Sequence, residues 1–432
     1  MPLAPSLRVF RHRPYALYWV MRQLLSGSRQ MQSVAIGWQV YDLARQTRSV
    51  EESAFILGLV GLAQFLPVLL LSLVGGQAAD RFDRKLILIL SNSGRVVAGL
   101  ALMASVFLPT EQAFPIVFSM AVVMGAVNAF APAASNALYP TLVPREDLAN
   151  AIAWNSLGFQ VSAVLGPAIG GLLYAAGGEI VYAVSTAMVV GAIVSIALAK
   201  TPVQQKVENA RGFAMALDGL RYVRDNKIVL GAIMIDLIVV FFGGATALLP
   251  VFARDILHTG ASGLGLLRAA PAFGAAIVAF ILALRPLDRK VGAFMLWSIV
   301  IYGAATLAFG LSKIFWLSMG LLAITGAADM ISVYVRQALI QFATPDAMRG
   351  RVASVSFMFI SASNELGEFE SGVAARFLGP VGAVVLGGAV AIATGLAWFR
   401  VFPQMAKADR FEEPAILASE PERLEPRTSA PR

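Results

Sequence analysis

The sequence predicts an all-α integral membrane protein with twelve transmembrane helices in two groups of six. Of its 432 residues, 58% are hydrophobic and 14% are charged, whereas about a quarter of a soluble domain is charged. Apolar runs near the ~20 residues that a helix needs to cross hydrocarbon recur along the chain. Short motifs of the first half also return in the second half. Together these three observations indicate a duplicated, polytopic membrane protein.

The apolar runs divide the chain into five parts. In the first half they fall at 15–43, 54–79, 86–109, 113–138, 149–177 and 179–200. In the second half they fall at 228–251, 262–284, 291–312, 314–343, 351–376 and 380–403. The predicted parts are a cytoplasmic N-terminal tail (1–14), a first six-helix bundle (15–200), a linker (201–227), a second bundle (228–403) and a cytoplasmic C-terminal tail (404–432). Glu, Pro, Arg and Ser dominate the last part, which predicts disorder.

The linker predicts an amphipathic helix that lies on the membrane surface. One helical face carries Phe213, Leu217 and Leu220. The charged residues lie mostly on the other face and are Asp218, Arg221, Arg224 and Asp225. Such a helix binds at the interface rather than crossing the bilayer.

The distribution of Lys and Arg predicts the orientation. With a cytoplasmic N-terminus, the inner loops hold Arg81, Arg84, Lys85, Arg145, Lys206, Arg211, Arg221, Arg224, Lys227, Arg285, Arg289, Lys290, Arg349 and Arg351. The outer loops hold little beyond Arg45, Arg48, Arg254 and Lys313. Positive residues favour the inner side, so both termini are expected in the cytoplasm. The expected location is the plasma (bacterial inner) membrane.

The two halves read as repeats with an offset of about 201 to 205 residues. The Asp-Arg-Lys triplet at 83–85 recurs at 288–290. Ala137, Leu138 and Pro144 match Ala338, Leu339 and Pro345. Gly166 and Gly171 match Gly367 and Gly372. Internal symmetry of this kind is typical of transporters.

Several classes of function find no support in the sequence. There is no cysteine, and the two histidines lie in a terminal segment and a loop, so neither a metal site nor another cofactor is expected. No P-loop, H-E-x-x-H or G-x-S-x-G motif is present, which argues against an enzyme and against ATP-driven pumping. The net charge of +8 is spread over short loops, which favours a membrane over a nucleic acid as the partner.

A charged turn at 75–85 separates the second and third apolar runs. It contains Gly76, Asp80, Arg81, Arg84 and Lys85. These charges place the turn at a membrane surface, where the cations suit the anionic inner leaflet. The sequence leaves two interpretations, a cytoplasmic gating motif and an ordinary basic loop.

Charges inside the spans are costly and usually mark a cavity or a partner. Counted from the inner helix ends, Arg22, Asp236 and Arg336 lie at depths of roughly 10–13 Å, and Arg29, Asp329 and Glu365 at roughly 21–23 Å. Ser361, Glu365, Glu368 and Gly372 share one helical face. We expect Asp236, Asp329, Glu365 and Glu368 to form a protonatable site in a central cavity, with permanent ion pairs as the alternative. Arg22 and Arg29 have either a structural or an anion-attracting role.

Spans four and five supply neutral polar groups and a glycine-proline motif. Asn128, Asn155 and Gln160 could bind a substrate or bond between helices. The motif consists of Gly166, Pro167, Gly170 and Gly171. Proline bends a helix and glycines permit close backbone contact, so a kinked, tightly packed helix is expected.

The motifs together resemble the major facilitator superfamily. Gly76, Ala79, Asp80, Arg81, Arg84 and Lys85 match its G-x-L-A-D-R-x-G-R-K signature between helices two and three, while Ala78 and Asp83 depart from it. The motif at 166–171 resembles the G-P-x-x-G-G of its antiporters, a marker of export. The stretches 345–352 and 363–372 resemble the enterobactin-exporter (transmembrane secretion effector) branch, and the similarity covers 10–403.

The resemblance implies two six-helix bundles with a small-molecule substrate bound between them and moved by alternating access. The expected activity is export of siderophore- or drug-like amphiphiles in exchange for protons, by a monomer that also contacts membrane lipids. Ala121 stands where many antiporters of the superfamily carry an arginine on span four, so coupling would use the second-half carboxylates. The alternatives are a lipid or lysophospholipid flippase of the same fold, a membrane enzyme, and a non-transporting scaffold.

Overall fold

The computed structural model describes residues 5–201, 212–287 and 289–409, and within these ranges it contains helices and no strand. The first half consists of α1 (Arg13–Arg45), α2 (Val50–Arg81), α3 (Arg84–Ser105), α4 (Thr110–Leu138), α5 (Leu148–Ala176) and α6 (Gly178–Leu198). Short 3₁₀ segments lie at Pro5–Arg11, Tyr139–Thr141 and Arg145–Asp147.

The second half follows a shorter helix, α7 (Gly212–Asp225). Its helices are α8 (Lys227–Phe242), α9 (Gly260–Leu284), α10 (Val291–Leu311), α11 (Phe315–Phe342) and the stretch Asp346–Val401. Gly379 has a φ of 73° inside that stretch and divides it into α12 (346–378) and α13 (380–401). Short turns of 3₁₀, α and π helix continue α8 through Ala245–Leu248, Leu249–Val251 and Phe252–Ile256, and Pro403–Ala406 follows α13.

Twelve long helices are therefore present in the described chain, as the sequence predicts. Ten stretches are long and apolar enough to cross a membrane, and one of these, Met348–Val401, comprises both α12 and α13. The twelfth long helix is α1, whose 33 residues include Arg22 and Arg29.

The two halves meet along two pairs of helices. In the first half α1 packs on α5 and α6, α2 on α4, and α3 on α4 and α6. In the second half α9 packs on α11, and α10 packs on α11 and on the 346–401 stretch. Between the halves α2 contacts α12 and α5 contacts α9.

Glycines at these contacts show the pseudo-symmetry. Gly171 of α5 packs on Gly265 of α9, and a Cβ at Gly171 would lie 2.8 Å from the Gly265 Cα. Gly58 of α2 packs on Gly372 of α12, and a Cβ at Gly58 would lie 3.0 Å from the Gly372 Cα. The predicted repeat pairs Gly171 with Gly372, and both take part in these equivalent contacts. The same relation holds inside each half, where Gly125 lies against the backbone of Gln64 and Gly326 against that of Pro271.

The apolar cores differ between the two ends of the bundle. We call the end with Arg13 and the 75–85 turn the N-terminal face, and the end with the α1–α2 connection the opposite face. Toward the opposite face, one core joins residues of both halves, such as Val40 and Leu57 with Leu249 and Leu264. Toward the N-terminal face each half has its own core. The halves are thus joined at the opposite face.

The helix α7 packs against the second half. Val223 is buried, and the Tyr222 hydroxyl donates to the Ala343 carbonyl oxygen at 2.6 Å. Arg351 donates to Asp218 at 3.3 Å. The side chains of Phe213 and Leu217, on the predicted apolar face, lie outside the described part of the structure, as do Asp288 and residues 410–432 of the tail. The membrane-surface position of α7 stays a prediction.

Candidate functional site

A cavity of about 140 Å³ lies between the two halves near the middle of the bundle. The first half contributes residues of α1, α2, α3 and α4, and the second half contributes residues of α9, α12 and the 245–251 segment. Its charged lining residues are Arg29, Arg95, Arg268, Glu365 and Glu368. Neutral polar side chains in the lining are Gln32, Ser33, Gln64 and Asn128. A substrate held there would contact both halves.

The two glutamates of the cavity project from α12 toward the first half. Glu365 and Glu368 lie three residues apart, one helical turn, as the predicted face requires. A Cβ at Gly61 would lie 3.1 Å from Glu368 Oε2, so the glycine leaves room for that carboxylate. The side chain of Ser361, on the same predicted face, lies outside the described part. The α12 carboxylates therefore reach the boundary between the halves.

Arginines from both halves surround these carboxylates. Arg268 of α9 donates to the Ser33 hydroxyl of α1, a hydrogen bond that crosses the boundary, and its charge interacts with that of Glu368. Arg29 lies midway along α1 and is solvent-exposed there. Its charge interacts with those of Glu365 and Glu368. The charge of Glu368 therefore interacts with a cation of each half, and the charge of Glu365 interacts with the first-half cation Arg29.

Asp236 and Arg336 form a buried ion pair inside the second half. The Arg336 guanidinium donates to the Asp236 carboxylate, and their side chains are 5% and 7% exposed. This pair joins α8 to α11. The sequence placed both residues in one layer, and the structure brings them together.

Asp329 lines a separate opening of about 10 Å³ with Asp236, Tyr302 and Ser332. The expectation of one central cavity shared by four carboxylates is therefore wrong for Asp236 and Asp329. The reason is helix rotation, because both side chains line an opening formed by α8, α10 and α11 of the second half, away from the first half. Depth alone does not fix that rotation.

Of the other polar candidates of the first half, one lines the cavity and the others do not. Asn128 lines the cavity and accepts from Arg95 Nη2 at 2.5 Å. Arg22 instead donates to Tyr18 at 3.1 Å and to Asn136 at 3.4 Å. Asn155 is buried, and within the described chain neither of its amide atoms has a hydrogen-bond partner, while Gln160 is half-buried.

The cations of the 75–85 turn cap neighbouring helices. Asp83 accepts from the backbone N–H of Lys85 at 2.8 Å and begins α3. Arg84 donates to the Ala137 carbonyl at 2.8 Å, at the end of α4. Lys85 donates to the carbonyls of Ala197 and Ala199 at the end of α6, at 2.7 and 2.8 Å. Cations here satisfy carbonyl groups that a helix end leaves unpaired. Gly76 and Asp80 are half-buried, and Arg81 is exposed.

The glycines of the α5 motif serve close packing. Gly170 lies against the backbone of Met31 in α1, and a Cβ there would approach the Met31 Cα to 2.8 Å. Gly166 packs on the side chain of Gln30, and the Pro167 carbonyl lies against Gly265. A single helix thereby holds α1 on one side and α9 on the other.

Polar contacts between the halves accumulate at the opposite face. Tyr41 of α1 donates to Asp255 in the segment after α8, and Arg45 pairs with the same carboxylate at 3.5 Å. Arg254 pairs with Asp42 at 2.7 Å. We call these residues the opposite-face seal.

Two cavity arginines, Arg95 and Arg268, were missed in the sequence. Both interrupt apolar runs, so the rule that marked Arg22 and Arg29 would have marked them as well. Gln64 was missed because a neutral amide in a span carries a much weaker signal.

The fold and the site define a secondary transporter of the major facilitator class. A profile of the transmembrane secretion effector family matches residues 2–424, and the chain belongs to that family.

Relatives and solved structures agree. The enterobactin exporter of Citrobacter koseri is 26% identical over 378 residues, which is 87% of this chain and 86% of that protein. The enterobactin exporter of Escherichia coli O1:K1 is 27% identical and covers 89% of each chain. The nucleoside transporter NupG superposes with a TM-score of 0.69 at 12% identity, covering 90% of this chain and 100% of its own. The inward-open xylose transporter XylE of E. coli gives 0.64 at 14% identity, covering 91% and 96%. The chain is thus a transporter and not an enzyme.

Proposed function

We propose that this protein exports small amphipathic molecules, siderophore- or drug-like, from the cytoplasm in exchange for protons. The observation that carries the proposal is the cavity between the halves, where Glu365 and Glu368 of one half face Arg29 of the other. The enterobactin exporters among the relatives support export and the siderophore-like substrate.

The described conformation fits the inward-facing step of alternating access. The opposite-face seal and the Gly58–Gly372 and Gly171–Gly265 contacts all join the halves at one end. At the N-terminal face, which the positive charges predict to be cytoplasmic, the apolar cores are separate. Rocking about the middle would break the seal and bring the N-terminal face together.

Protonation of the α12 carboxylates would couple proton entry to this motion. An ionised Glu365 or Glu368 attracts Arg29 across the boundary, and a protonated one no longer does. The attraction between halves therefore depends on the proton. Asp236 and Arg336 lie away from that boundary, so we assign them a permanent structural role within the second half.

The cavity must widen to hold its cargo. Its volume of about 140 Å³ is below the ~300–1,000 Å³ of pockets that hold drug-sized ligands. We propose that further separation of the N-terminal ends supplies the additional space, since the halves share no apolar core there. The 75–85 turn and the α5 motif would guide this motion. Asp80 of the turn would act as a gate contact, and Gly171 of the motif would act as a contact about which the halves rotate.

Everted vesicles with an imposed pH gradient test the proposal. Accumulation of a siderophore or drug that depends on the gradient is expected for the wild type, and Glu365→Gln should abolish that dependence. Glu370→Gln is the matched control, because Glu370 lies on the same helix but does not line the cavity.

Other outcomes favour the alternatives. Translocation of lysophospholipid without a gradient would indicate a flippase, and no transport in any assay would leave a scaffold. We further propose a monomer in the bacterial inner membrane with both termini inside. Because the chain has no cysteine, a single cysteine added at either terminus reports its side by maleimide labelling.

A further inference from the structure

Arg95 brings a positive charge into the cavity, and among the described residues no carboxylate pairs with it. The residue lies in α3, and the one hydrogen bond that it makes to the described residues is the 2.5 Å bond to Asn128 Oδ1. Its Nε atom is buried and has no acceptor among those residues. A guanidinium has five N–H donors, so most of its hydrogen-bonding capacity is unused.

Two other arginines of the spans differ in this respect. Arg336 is paired with Asp236, and the charge of Arg268 interacts with Glu368. The charged neighbour of Arg95 is another cation, Arg29, close enough for the two positive charges to repel. Arg95 and Arg29 both belong to the first-half wall of the cavity, and the buried Nε donor of Arg95 is unpaired among the described residues. An anion between the two cations would stabilise both of them.

The geometry suits an acidic group of an organic molecule. Arginine binds carboxylates and phosphates through two parallel hydrogen bonds, and Nε is one of the atoms that make such pairs. Gln64 and Asn128 line the same wall and add neutral polar groups. On the facing wall Glu365 and Glu368 would repel a second anion.

We propose that Arg95 and Arg29 form an anion subsite that holds an acidic group of the exported molecule. The inference rests on the proposed function and adds a charge to its substrate. The substrate is then a monoanionic or zwitterionic amphiphile, with its acidic end toward α3 and a neutral or cationic part toward α12. A carboxylate of a soluble compound and the phosphate of a lysolipid both have this chemistry.

A pair of probes of the same shape tests the subsite on the purified protein in nanodiscs of phosphatidylcholine. 2-Naphthoate is an anion at neutral pH and 2-naphthamide is neutral. We expect the wild type to bind naphthoate at least about tenfold more tightly than naphthamide, the size expected for hydrogen bonds to a charged group. In Arg95→Gln this preference should fall to near one while naphthamide binding persists, which also shows that the variant is folded.

Two further variants sharpen the test. Arg95→Lys keeps the charge but loses the paired donors, so an intermediate preference is expected. Arg376→Gln removes an arginine that stacks on Phe55 at 4.9 Å, outside the cavity, and should keep the wild-type preference. Equal binding of both probes to the wild type, or an unchanged preference in Arg95→Gln, would overturn the subsite.

Competition identifies the source of the anion, and transport separates this inference from the proposed function. Displacement of naphthoate by lysophosphatidylglycerol at much lower concentration than by unlabelled naphthoate assigns the subsite to a lipid phosphate, and the reverse order to a soluble carboxylate. Export that continues with an unchanged charge preference in Arg95→Gln refutes the subsite alone. Binding that follows Arg95 in a protein that exports nothing refutes the proposed function alone.

Discussion

Removing either partner of the Asp236–Arg336 pair should destabilise the second half strongly. Both side chains are at most 7% exposed, so the remaining charge would be buried without a partner. Breaking a buried pair in this way costs about 3–5 kcal/mol. For a chain of this length we expect the apparent melting temperature of Asp236→Asn or Arg336→Gln to fall by about 5–10 °C.

The double variant tells a permanent ion pair from a switching one. In Asp236→Asn/Arg336→Gln two neutral amides replace the charges, no charge is left unpaired, and at least half of the lost stability should return. Tryptophan fluorescence during heating in detergent measures stability, and the everted-vesicle assay measures transport. A permanent pair predicts that the double variant also regains transport.

Two results would refute this reasoning. Single variants as stable as the wild type would show that the buried pair does not hold α8 to α11. A double variant that regains stability but exports nothing would show that the pair itself takes part in the transport cycle.

Three other perturbations follow from the contacts. Lys85→Ala should lower stability by about 1 kcal/mol, because the carbonyls of Ala197 and Ala199 lose their donor. Lys85→Arg should lose less stability, and thermal unfolding of the two variants measures the difference. Gly171→Leu should prevent closure of the opposite face, since even a Cβ at this position would lie 2.5 Å from the Ala261 carbonyl oxygen. In a Ser33→Cys background, an impermeant maleimide added from outside should label the cysteine more strongly in this variant. Unchanged labelling would contradict the prediction. Tyr41→Phe removes the hydrogen bond to Asp255 and should raise the same labelling to a smaller extent, with Tyr174→Phe as the control.

Hydropathy and spacing predicted the helices because crossing hydrocarbon constrains length and composition so strongly. The repeat even placed Gly171 and Gly372 in equivalent positions, which the two inter-half contacts confirm. Depth along the helices also put Asp236 and Arg336 within reach of each other.

Other features depend on helix rotation and on distant neighbours, which one sequence does not contain. Asp329 faces Tyr302 rather than the first half, although its depth matches that of Glu365. The acceptors of Arg84 and Lys85 lie at the ends of α4 and α6, 53 and 112–114 residues away along the chain. Arg95 and Arg268, by contrast, could have been found by applying the rule for charges in spans to every helix.

The central claim is that the cavity opens alternately to the two faces. Its most direct test is a pair of distances between spin labels in the otherwise cysteine-free chain. One pair, Thr47→Cys with Lys313→Cys, spans the opposite face, and the other, Glu146→Cys with Arg285→Cys, spans the N-terminal face. Adding substrate, or changing pH, should lengthen one distance and shorten the other. Two distances that stay fixed, or that lengthen together, would contradict the account.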